Sequence, residues 1–501
     1  MMNASKSLFL IQADQLFHPR YLKDHRNDLF LMVEDRAQLT AYKYHKHRQV
    51  FYISAMRHYA HELKHLDFNL VYMELPETNG LSYEKVVSRV LKESGLQKIT
   101  SFEIEDKELE KRLQTFCRQN GYELEVKTTP LFLNTRTDFK NYLEKNVRPS
   151  MKSFYEEQRR KFKVLMEPNG EPIGGQFRFD DEEQLKWSHA NGTPKIPISV
   201  HDDIDHSVIK LVEREFPGHP GEALTSWYPV TREAAEQALD DFCKYRLPEF
   251  GPYEESLCPK EDFLFHSVLG PLLNVGLLAP DDVINKVLQH SKDNPVSLNS
   301  LESFVRKILG CREYVRGIYQ NFDEFQEQSN FWKHQRLPNE NWIKAKTGVP
   351  PLDDAIEKAV RLGYNHHTER LKILCNMMNL SELQPKKVYD WFMSMHVDSA
   401  VWAMGPNVYG MGLHSDGGIF SSNLPICGSN YWMKISNYKK EDWCHEVDGL
   451  FWRFIEKHYD FFEKNPRLTI MTTNLERMQS DRKEMLWKAA EAFLARNTVY
   501  P

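Results

Sequence analysis

Residues 263–278 read Phe-Leu-Phe-His-Ser-Val-Leu-Gly-Pro-Leu-Leu-Asn-Val-Gly-Leu-Leu, and the second half of the chain is organised around this stretch. Three polar side chains, His266, Ser267 and Asn274, stand inside an otherwise apolar run. They need partners, because a buried polar group left unpaired costs about 1–3 kcal/mol. Either the backbone of a helix satisfies them, or they face a polar ligand held between helices. The spacing of these three residues, taken alone, favours hydrogen bonds to the helix backbone over contact with a ligand.

A second stretch, Gly-Cys-Arg-Glu-Tyr-Val-Arg-Gly-Ile-Tyr at residues 310–319, follows an amphipathic pattern over 298–309. Apolar residues at helical spacing continue through most of the chain after Thr231. This pattern predicts helices at 231–247, 261–275, 280–291, 298–320, 353–378, 382–395, 446–463 and 480–497. The prolines and glycines of 404–430 predict an interrupting loop.

The first 135 residues alternate short apolar runs with helical patterns. The runs predict strands at 7–12, 29–34, 70–75, 99–104 and 122–133. Such alternation is typical of a doubly wound parallel sheet, here of about five strands. Residues 136–230 contain several prolines and little helical pattern after 185, which predicts a long connection. The fold class is therefore an α/β domain at 1–135 followed by a large all-α domain at 231–501.

Acidic side chains follow two of the predicted strands. Asp14 and Glu34 stand at the ends of the first and second runs, where parallel sheets bind ligands. Acids at these positions also cap helices, so both interpretations stay open. The absence of a G-x-G-x-x-G motif in this region argues against a nicotinamide dinucleotide site.

Composition sets outer limits on function. The chain has 501 residues, 41% of them hydrophobic and 27% charged, and a net charge of −6. It has no membrane-length apolar run and no signal pattern, so we expect a cytoplasmic protein. Its seven cysteines include no C-x-x-C pair, which argues against a disulfide framework and predicts no metal site. The charge excludes a globally basic nucleic-acid binder but allows a local basic patch.

A set of motifs is spread over nearly the whole chain. They are residues 53–60, Met166–Pro168, Gly174–Gly175 with Phe179–Asp180, 246–251, 263–278, 312–319, 364–371, Trp402, 406–411 and Asp416–Gly418. Together these motifs resemble the photolyase/cryptochrome flavoproteins, and specifically their bacterial (6-4) photolyase branch, the photolyase-related proteins. The α/β domain, long connection and helical domain match the family layout.

The resemblance implies an FAD bent into a U shape within the helical domain. Residues 263–278 would cradle its phosphates and ribityl chain, and others would border the isoalloxazine ring. The cofactor-binding residues so implied are His266, Ser267, Leu269, Asn274, Arg312, Asp398, Trp402, Asn407 and Asp416. Trp402 would also be the first member of an electron-transfer chain.

The same resemblance implies light-driven repair of UV-damaged DNA by a monomeric lyase of the (6-4) class. His367 would shuttle a proton, His366 would support it, and Glu313 would face the substrate cavity. An alternative is a cryptochrome-like photoreceptor without repair activity. A third is a degenerate flavoprotein with a different ligand. Asp14 and Glu34 would contact an antenna, 6,7-dimethyl-8-ribityllumazine.

This chain departs from the family pattern in three places. The branch holds a [4Fe-4S] cluster on four cysteines, whereas the matching stretches here, 347–356 and 437–444, contain only Cys444. Cys311 replaces the tryptophan usual before Arg-Glu-Tyr. The interdomain loop differs around Phe177-Arg178 and Glu183-Gln184 and is acidic, which suits phosphates poorly. These departures favour the photoreceptor alternative.

We expect no [4Fe-4S] cluster, because one thiolate cannot replace four. Acid-denatured protein should therefore release no stoichiometric iron in a colorimetric chelator assay. Iron approaching four atoms per chain would contradict this expectation.

Overall fold

The structure is a computed structural model that describes residues 6–179, 185–187, 192–194, 196, 198–259 and 261–501. Its first part is a five-stranded parallel sheet in the order β3-β2-β1-β4-β5. The strands are β1 (Leu8–Ile11), β2 (Leu29–Val33), β3 (Leu70–Met73), β4 (Lys98–Phe102) and β5 (Glu123–Lys127). The sequence prediction of a doubly wound parallel sheet is confirmed.

Burial explains why these runs form strands. Every residue of the central strands β1 and β2 is buried, so both faces of the sheet need apolar side chains. The edge strand β5 is half exposed and carries glutamate and lysine. The helices of this part are α1 (Arg36–Leu39), α2 (Lys46–His65), α3 (Tyr83–Ser94), α4 (Lys107–Asn120), α5 (Arg136–Lys145) and α6 (Met151–Phe162).

The remainder is mostly helical, as the periodicity predicts. Its helices are α7 (Asp203–Glu215), α8 (Arg232–Tyr245), α9 (Phe250–Tyr253), α10 (Gly270–Asn274), α11 (Pro280–Asp293), α12 (Leu298–Val305), α13 (Glu313–Gln328), α14 (Asn341–Lys344), α15 (Pro350–Leu362), α16 (Asn376–Leu380), α17 (Pro385–Met395), α18 (Val401–Gly405), α19 (Ser429–Ile435), α20 (Trp443–Lys457), α21 (Tyr459–Glu463), α22 (Thr469–Glu476) and α23 (Ser480–Asn497). A short antiparallel pair joins Leu337–Pro338 to Thr498–Val499. None of the described helices has the length and apolarity needed to span a bilayer.

Several predictions of helix and loop are wrong. The helix expected over 353–378 is interrupted at 363–366, and the loop expected over 404–430 contains the π-helical segment Pro406–Gly412.

Two further differences have local causes. The helix expected over 261–275 begins only at Gly270, because Leu264 and Val268 hold positive φ angles of 44° and 56° that end a right-handed helix. The part of the connection that shows little helical pattern contains α7, whose N-terminus is fixed by a capping box between Asp202 and Asp205. Neither feature follows from hydrophobic periodicity.

The apolar core runs without a break from the sheet into the helical part. Phe9 and Phe102 of the sheet belong to the same buried cluster as Leu272 of the 263–278 stretch. Within that stretch, Gly276 has a φ of 81°, and a Cβ there would lie 2.5 Å from the ring of Phe17. Only glycine allows the backbone to approach the α/β part so closely.

A buried ion-pair network joins α13 to the loop after β4. The guanidinium of Arg316 donates to Glu105 Oε1 from Nε at 3.0 Å and to Glu103 Oε2 from Nη2 at 3.0 Å. It also donates to the Asn134 carbonyl at 2.7 Å. The side chains of Arg316 and Glu105 are only 4% and 1% exposed. Removing one partner leaves a buried charge unpaired, so the network fixes how the two parts sit together.

We expect Arg316→Met to lower the free energy of unfolding by about 3–5 kcal/mol, because it strands the buried Glu105 carboxylate. Adding Glu105→Gln to that variant should recover part of the loss. Urea denaturation followed by circular dichroism measures both changes.

Arg214→Met is the matched control, because Arg214 pairs with Glu215 on the surface and its side chain is 66% exposed. Its effect should stay within about 0.5 kcal/mol. Equal effects of the Arg316 and Arg214 substitutions would contradict the role given to the buried network.

Candidate functional site

A cavity of the helical part lies where three π-helical segments meet. These segments are Arg306–Arg312, Glu369–Cys375 and Pro406–Gly412. Each widens a helix by one residue and turns side chains into a cavity of about 330 Å³. π-Helical turns inside α-helices occur frequently at functional sites. The volume is within the usual range for a small-molecule or cofactor site.

Most side chains that the sequence nominates line this cavity. They are His266, Ser267, Asn274, Arg312, His366, His367, Asp398, Trp402 and Asn407. They come from four separate stretches of the chain, and the fold brings them together. Apolar walls from Phe250, Phe304, Val315 and Met404 surround them.

One wall is built by a chain of hydrogen bonds through Asn274. Its side-chain oxygen accepts from Arg312 Nη1 at 2.5 Å, and its amide nitrogen donates to the Asp398 carbonyl at 3.0 Å. The Arg312 guanidinium lies 4.6 Å from the ring centre of Trp402. Burial lowers the pKa of Arg312 to about 10, which still leaves it charged at neutral pH. The wall therefore presents a rigid positive charge beside an indole ring.

Another part of the cavity lining carries the histidines. The rings of His266 and His366 are stacked, with centres 3.5 Å apart and an interplanar angle of 6°. The Tyr364 hydroxyl lies 3.1 Å from His266 Nδ1 and fixes that ring. Burial, reinforced by the nearby Lys307 ammonium, lowers the pKa of His367 to about 3. All these imidazoles are consequently neutral at physiological pH, since burial also lowers the pKa of His266 and His366.

The cavity fits a flavin dinucleotide by its unpartnered donors. Among the described residues, the N–H donors Trp402 Nε1 and Arg312 Nε are buried without a hydrogen-bond partner. His266 Nε2 is also unpartnered, and the tautomer of its ring decides whether it donates or accepts. Buried donors are normally paired, so two orphaned N–H groups at one cavity indicate a ligand rich in acceptors. Isoalloxazine carbonyls and pyrophosphate oxygens meet this need. Arg370 and Asp398, paired at 3.0 Å on the cavity wall, add a second fixed guanidinium.

Three sequence-predicted residues lie away from the cavity. Glu313 was expected to face substrate, but its carboxylate instead accepts from the backbone of Leu133 and Asn134 at 2.9 and 3.0 Å. It anchors the segment that leaves β5. Asp416 accepts from Gln326 Nε2 at 2.9 Å and from the Phe420 amide at 3.0 Å. Leu269 packs in the core. These three side chains do not line the cavity, and their roles at the site stay predictions.

Sequence reasoning gave no role to several cavity residues. Lys307 pairs with the buried Glu254 and lines the cavity one turn before Cys311. Helical spacing from Cys311 and Arg312 was the signal that could have found it. Tyr364 and Arg370 were quoted only as neighbours of the histidine pair. Their contacts depend on residues far away in sequence.

The second predicted site, at the carboxyl edge of the sheet, holds a smaller cavity of about 110 Å³. Asp14 and Glu34 both line it. Glu34 is committed to protein partners, accepting from Arg57 Nε at 2.7 Å and from the Leu75 amide at 2.7 Å. Burial raises the pKa of Asp14 to about 7. Trp402 lines both this cavity and the larger one.

The stretches that correspond to the cluster region are closed by other contacts. Cys444 is buried in α20, and the Tyr438 hydroxyl donates to Asp354 Oδ2 at 2.6 Å, joining the two stretches. The one group of three or more candidate metal ligands found among the described residues lies elsewhere, at His58. The absence of an iron cluster stays a prediction. Asp180, Glu183 and Gln184 of the altered loop lie outside the described residues.

Comparison with known proteins finds a relative that is similar over nearly the full length of the chain. The chain is 30% identical over 484 residues to a (6-4) photolyase of Agrobacterium fabrum, covering 94% of this chain and 95% of that protein. Residues 9–228 match the family described as deoxyribodipyrimidine photo-lyase-related protein.

Comparison of folds agrees. The crystal structure of a bacterial class III photolyase from Agrobacterium tumefaciens superposes with a TM-score of 0.56 at 15% identity, covering 98% of both chains. A Synechocystis cryptochrome superposes with a TM-score of 0.54 at 14% identity, covering 99% of this chain and 100% of that one. Photolyase/cryptochrome architecture is thereby confirmed.

We expect His367→Gln to make the protein less sensitive to acid. A histidine whose pKa is lowered from 6.5 to about 3 binds its proton in the unfolded chain first. The free energy of unfolding therefore decreases as the pH falls below the pKa that the histidine has in the unfolded chain. The slope of this decrease corresponds to about one proton per such histidine. Unfolding free energies measured between about pH 4.5 and 6.5 should show that slope reduced by about one proton in the variant. His65→Gln, an exposed site on α2, is the control and should leave the slope unchanged.

Proposed function

The chain belongs to the family of photolyase-related proteins, and on that basis we propose that it is a light-driven, FAD-dependent enzyme that repairs (6-4) photoproducts in UV-damaged DNA. The observation that carries this proposal is the single cavity shared by the acceptor-seeking donors and the histidine pair. Reduced flavin in its light-excited state would supply the electron that opens the lesion. A cytoplasmic, monomeric enzyme would be sufficient for this chemistry.

The wall formed by Arg312, Asn274 and Trp402 would hold the cofactor. Arg312 supplies a fixed positive charge beside the ring system, and Asn274 holds that guanidinium in place. Asn407, whose amide nitrogen donates to the Ala403 carbonyl at 2.7 Å, keeps its orientation by the same means. Because the protein fixes these groups before any ligand binds, little reorganisation accompanies electron transfer.

The histidine wall would handle protons. A neutral imidazole donates from one ring nitrogen and accepts at the other, so His367 can shuttle a proton without gaining net charge. His366, stacked on His266, would hold the neighbouring backbone and the cavity shape. A lesion must leave the duplex to reach such groups, as bases do in other enzymes that act on them.

The smaller cavity would hold an antenna chromophore of the 6,7-dimethyl-8-ribityllumazine type, contacted by Asp14. Trp402 forms a wall common to both cavities, which would keep the two chromophores close. Glu34 would shape the pocket through Arg57 and Leu75 rather than bind the chromophore directly.

We expect His367→Ala to lower the rate of (6-4) repair by about 100-fold or more, the usual value of a positioned acid–base group. The measurement illuminates reduced, FAD-loaded protein with an oligonucleotide carrying one (6-4) lesion and follows restored thymines by chromatography. The variant should retain FAD, because His367 takes no part in the hydrogen bonds that join Arg312, Asn274 and Asp398.

His65→Ala is the control and should repair at the wild-type rate. Repair of cyclobutane dimers instead of (6-4) lesions would change the proposed substrate. Tight FAD binding with photoreduction and no repair of either lesion would contradict the enzyme and support the photoreceptor alternative.

A further inference from the structure

Two buried histidines at the start of α2 reach the ends of helices that lead into the large cavity. His45 and His47 are fully buried, and both lie outside the two cavities described above. Their ring centres are 4.6 Å apart. Burial lowers the pKa of His45 to about 3 and that of His47 to about 4, so both rings are neutral at physiological pH. Neither the family resemblance nor the proposed function gives them a role.

The ring of His45 is held in one tautomer from both sides. Its Nε2 atom lies 2.8 Å from the carbonyl oxygen of Val360, which can only accept, so Nε2 carries the proton. Its Nδ1 atom then accepts from the backbone amide of His47 at 3.0 Å and caps α2. Val360 lies in the last turn of α15, where carbonyl groups have no partner within the helix. His45 therefore ties the end of α15 to the α/β part.

The backbone of His45 holds a second helix end. Its amide donates to the carbonyl of Ser394 at 2.7 Å, in the last turn of α17. The chain that leaves α15 carries the cavity histidines, and the chain that leaves α17 carries Asp398. The carbonyl of Gly363, between α15 and those histidines, accepts from the amide of Val397 at 2.9 Å and joins the two chains. His45 thus contacts the origin of both.

His47 holds the end of α15 to the connection that precedes α8. Its Nδ1 atom lies 3.2 Å from the Leu362 carbonyl, and its Nε2 atom lies 3.0 Å from both the Glu222 carbonyl and the Thr225 hydroxyl. The one N–H of the neutral ring can donate to either carbonyl, and Thr225 donates to Nε2 when the proton is on Nδ1. Trp227 Nε1 adds a donor to the Leu362 carbonyl at 3.2 Å. Either tautomer keeps the ring between the connection and α15.

Two glycines leave just enough room for the His45 ring. Gly221 and Gly363 have φ angles of 78° and 63°. A Cβ at Gly221 would lie 2.2 Å from Cε1 of the ring, and a Cβ at Gly363 would lie 3.3 Å from Nδ1. The ring therefore packs directly on both backbones. Capping α2 does not require this, because short polar side chains cap a helix without reaching a second one.

We propose that His45, supported by His47, is a positioning residue that sets the distance between the histidine wall and the segment that carries Asp398. This inference rests on the proposed function, because it concerns the distance between the groups that would handle protons and those that would hold the flavin. Reacting groups must lie about 3–3.5 Å apart, and a misplacement of about 1 Å can cost about 100-fold in rate. His45 acts through the two helix ends, from outside the cavity lining.

His45→Asn separates capping from positioning. Asparagine is a strong N-cap and keeps an acceptor for the His47 amide, but its side chain is too short to reach Val360. In full-length, FAD-loaded protein, we expect (6-4) repair per absorbed photon to fall by about tenfold. Affinity for the lesion-bearing oligonucleotide should stay at the wild-type value. Hydrogen exchange should become faster at residues 363–367 and 395–400, while the first turn of α2 stays protected.

His45→Gln is the rescue variant, because its amide nitrogen reaches the position of Nε2 and still donates to Val360. It should restore most of the repair yield and of the protection at 363–367. Ser82→Asn is the matched control, since Ser82 caps α3 and lines neither cavity. It should repair and exchange as the wild type does.

Repair by His45→Asn at the wild-type yield, or a loss that His45→Gln does not relieve, would overturn the proposal. So would faster exchange spread evenly over the chain, because the substitution would then act on global stability alone. A wild type that repairs no lesion would contradict the proposed function. The exchange at 363–367 and 395–400 would still decide the inference about His45, since it needs neither lesion nor light.

Discussion

The buried guanidinium of Arg316 is the interaction on which the rest of the arrangement depends. It lies on α13, whose preceding π-helical segment forms one wall of the large cavity, and it binds Glu105 and Glu103 of the α/β part. One turn earlier, Glu313 holds the backbone that leaves β5. A buried charge tolerates few geometries, because its partners must satisfy it completely. The ion pairs therefore fix the rotation of α13 about its axis. This also fixes the direction in which the side chains of the preceding π-helical segment point into the cavity.

This constraint gives α13 and the segment before it two functions on opposite faces. Glu313 and Arg316 face the α/β part, and their side chains hold the α/β and helical parts together. Arg312 and Cys311, adjacent in sequence, turn into the cavity because the π-helical segment shifts the helical register there. Glu313 resembles a substrate-facing acid when only the motif is considered. Glu313 follows the cavity residue Arg312 by only one position, which turns its side chain toward the backbone of Leu133 and Asn134 instead.

Sequence predicted much of the architecture and part of the site. The five strands follow from short apolar runs, since a parallel sheet covered on both faces leaves no other pattern for a central strand such as β1. The histidine pair and Trp402 were found through motifs and do line the cavity. Lys307 and Tyr364 were missed, because their partners, Glu254 and His266, are remote in sequence. The position of Asp416 away from the cavity could not be predicted for the same reason, because its partner Gln326 is remote in sequence and lies on α13.

By itself, the sequence determined most of the strands and helices, which family the chain resembles and which residue types carry the chemistry. These properties depend on residues that are close in sequence or on motifs summed along the chain, so the sequence alone can reveal them. Only the tertiary structure decided which polar groups remain unpaired, as at Trp402 Nε1, and which are consumed, as at Glu34. The tertiary structure also brought His58 and His201 close to the carboxylate of Asp205. Hydrogen bonding and burial depend on distances between remote segments, and no pattern of neighbours along the chain encodes those distances.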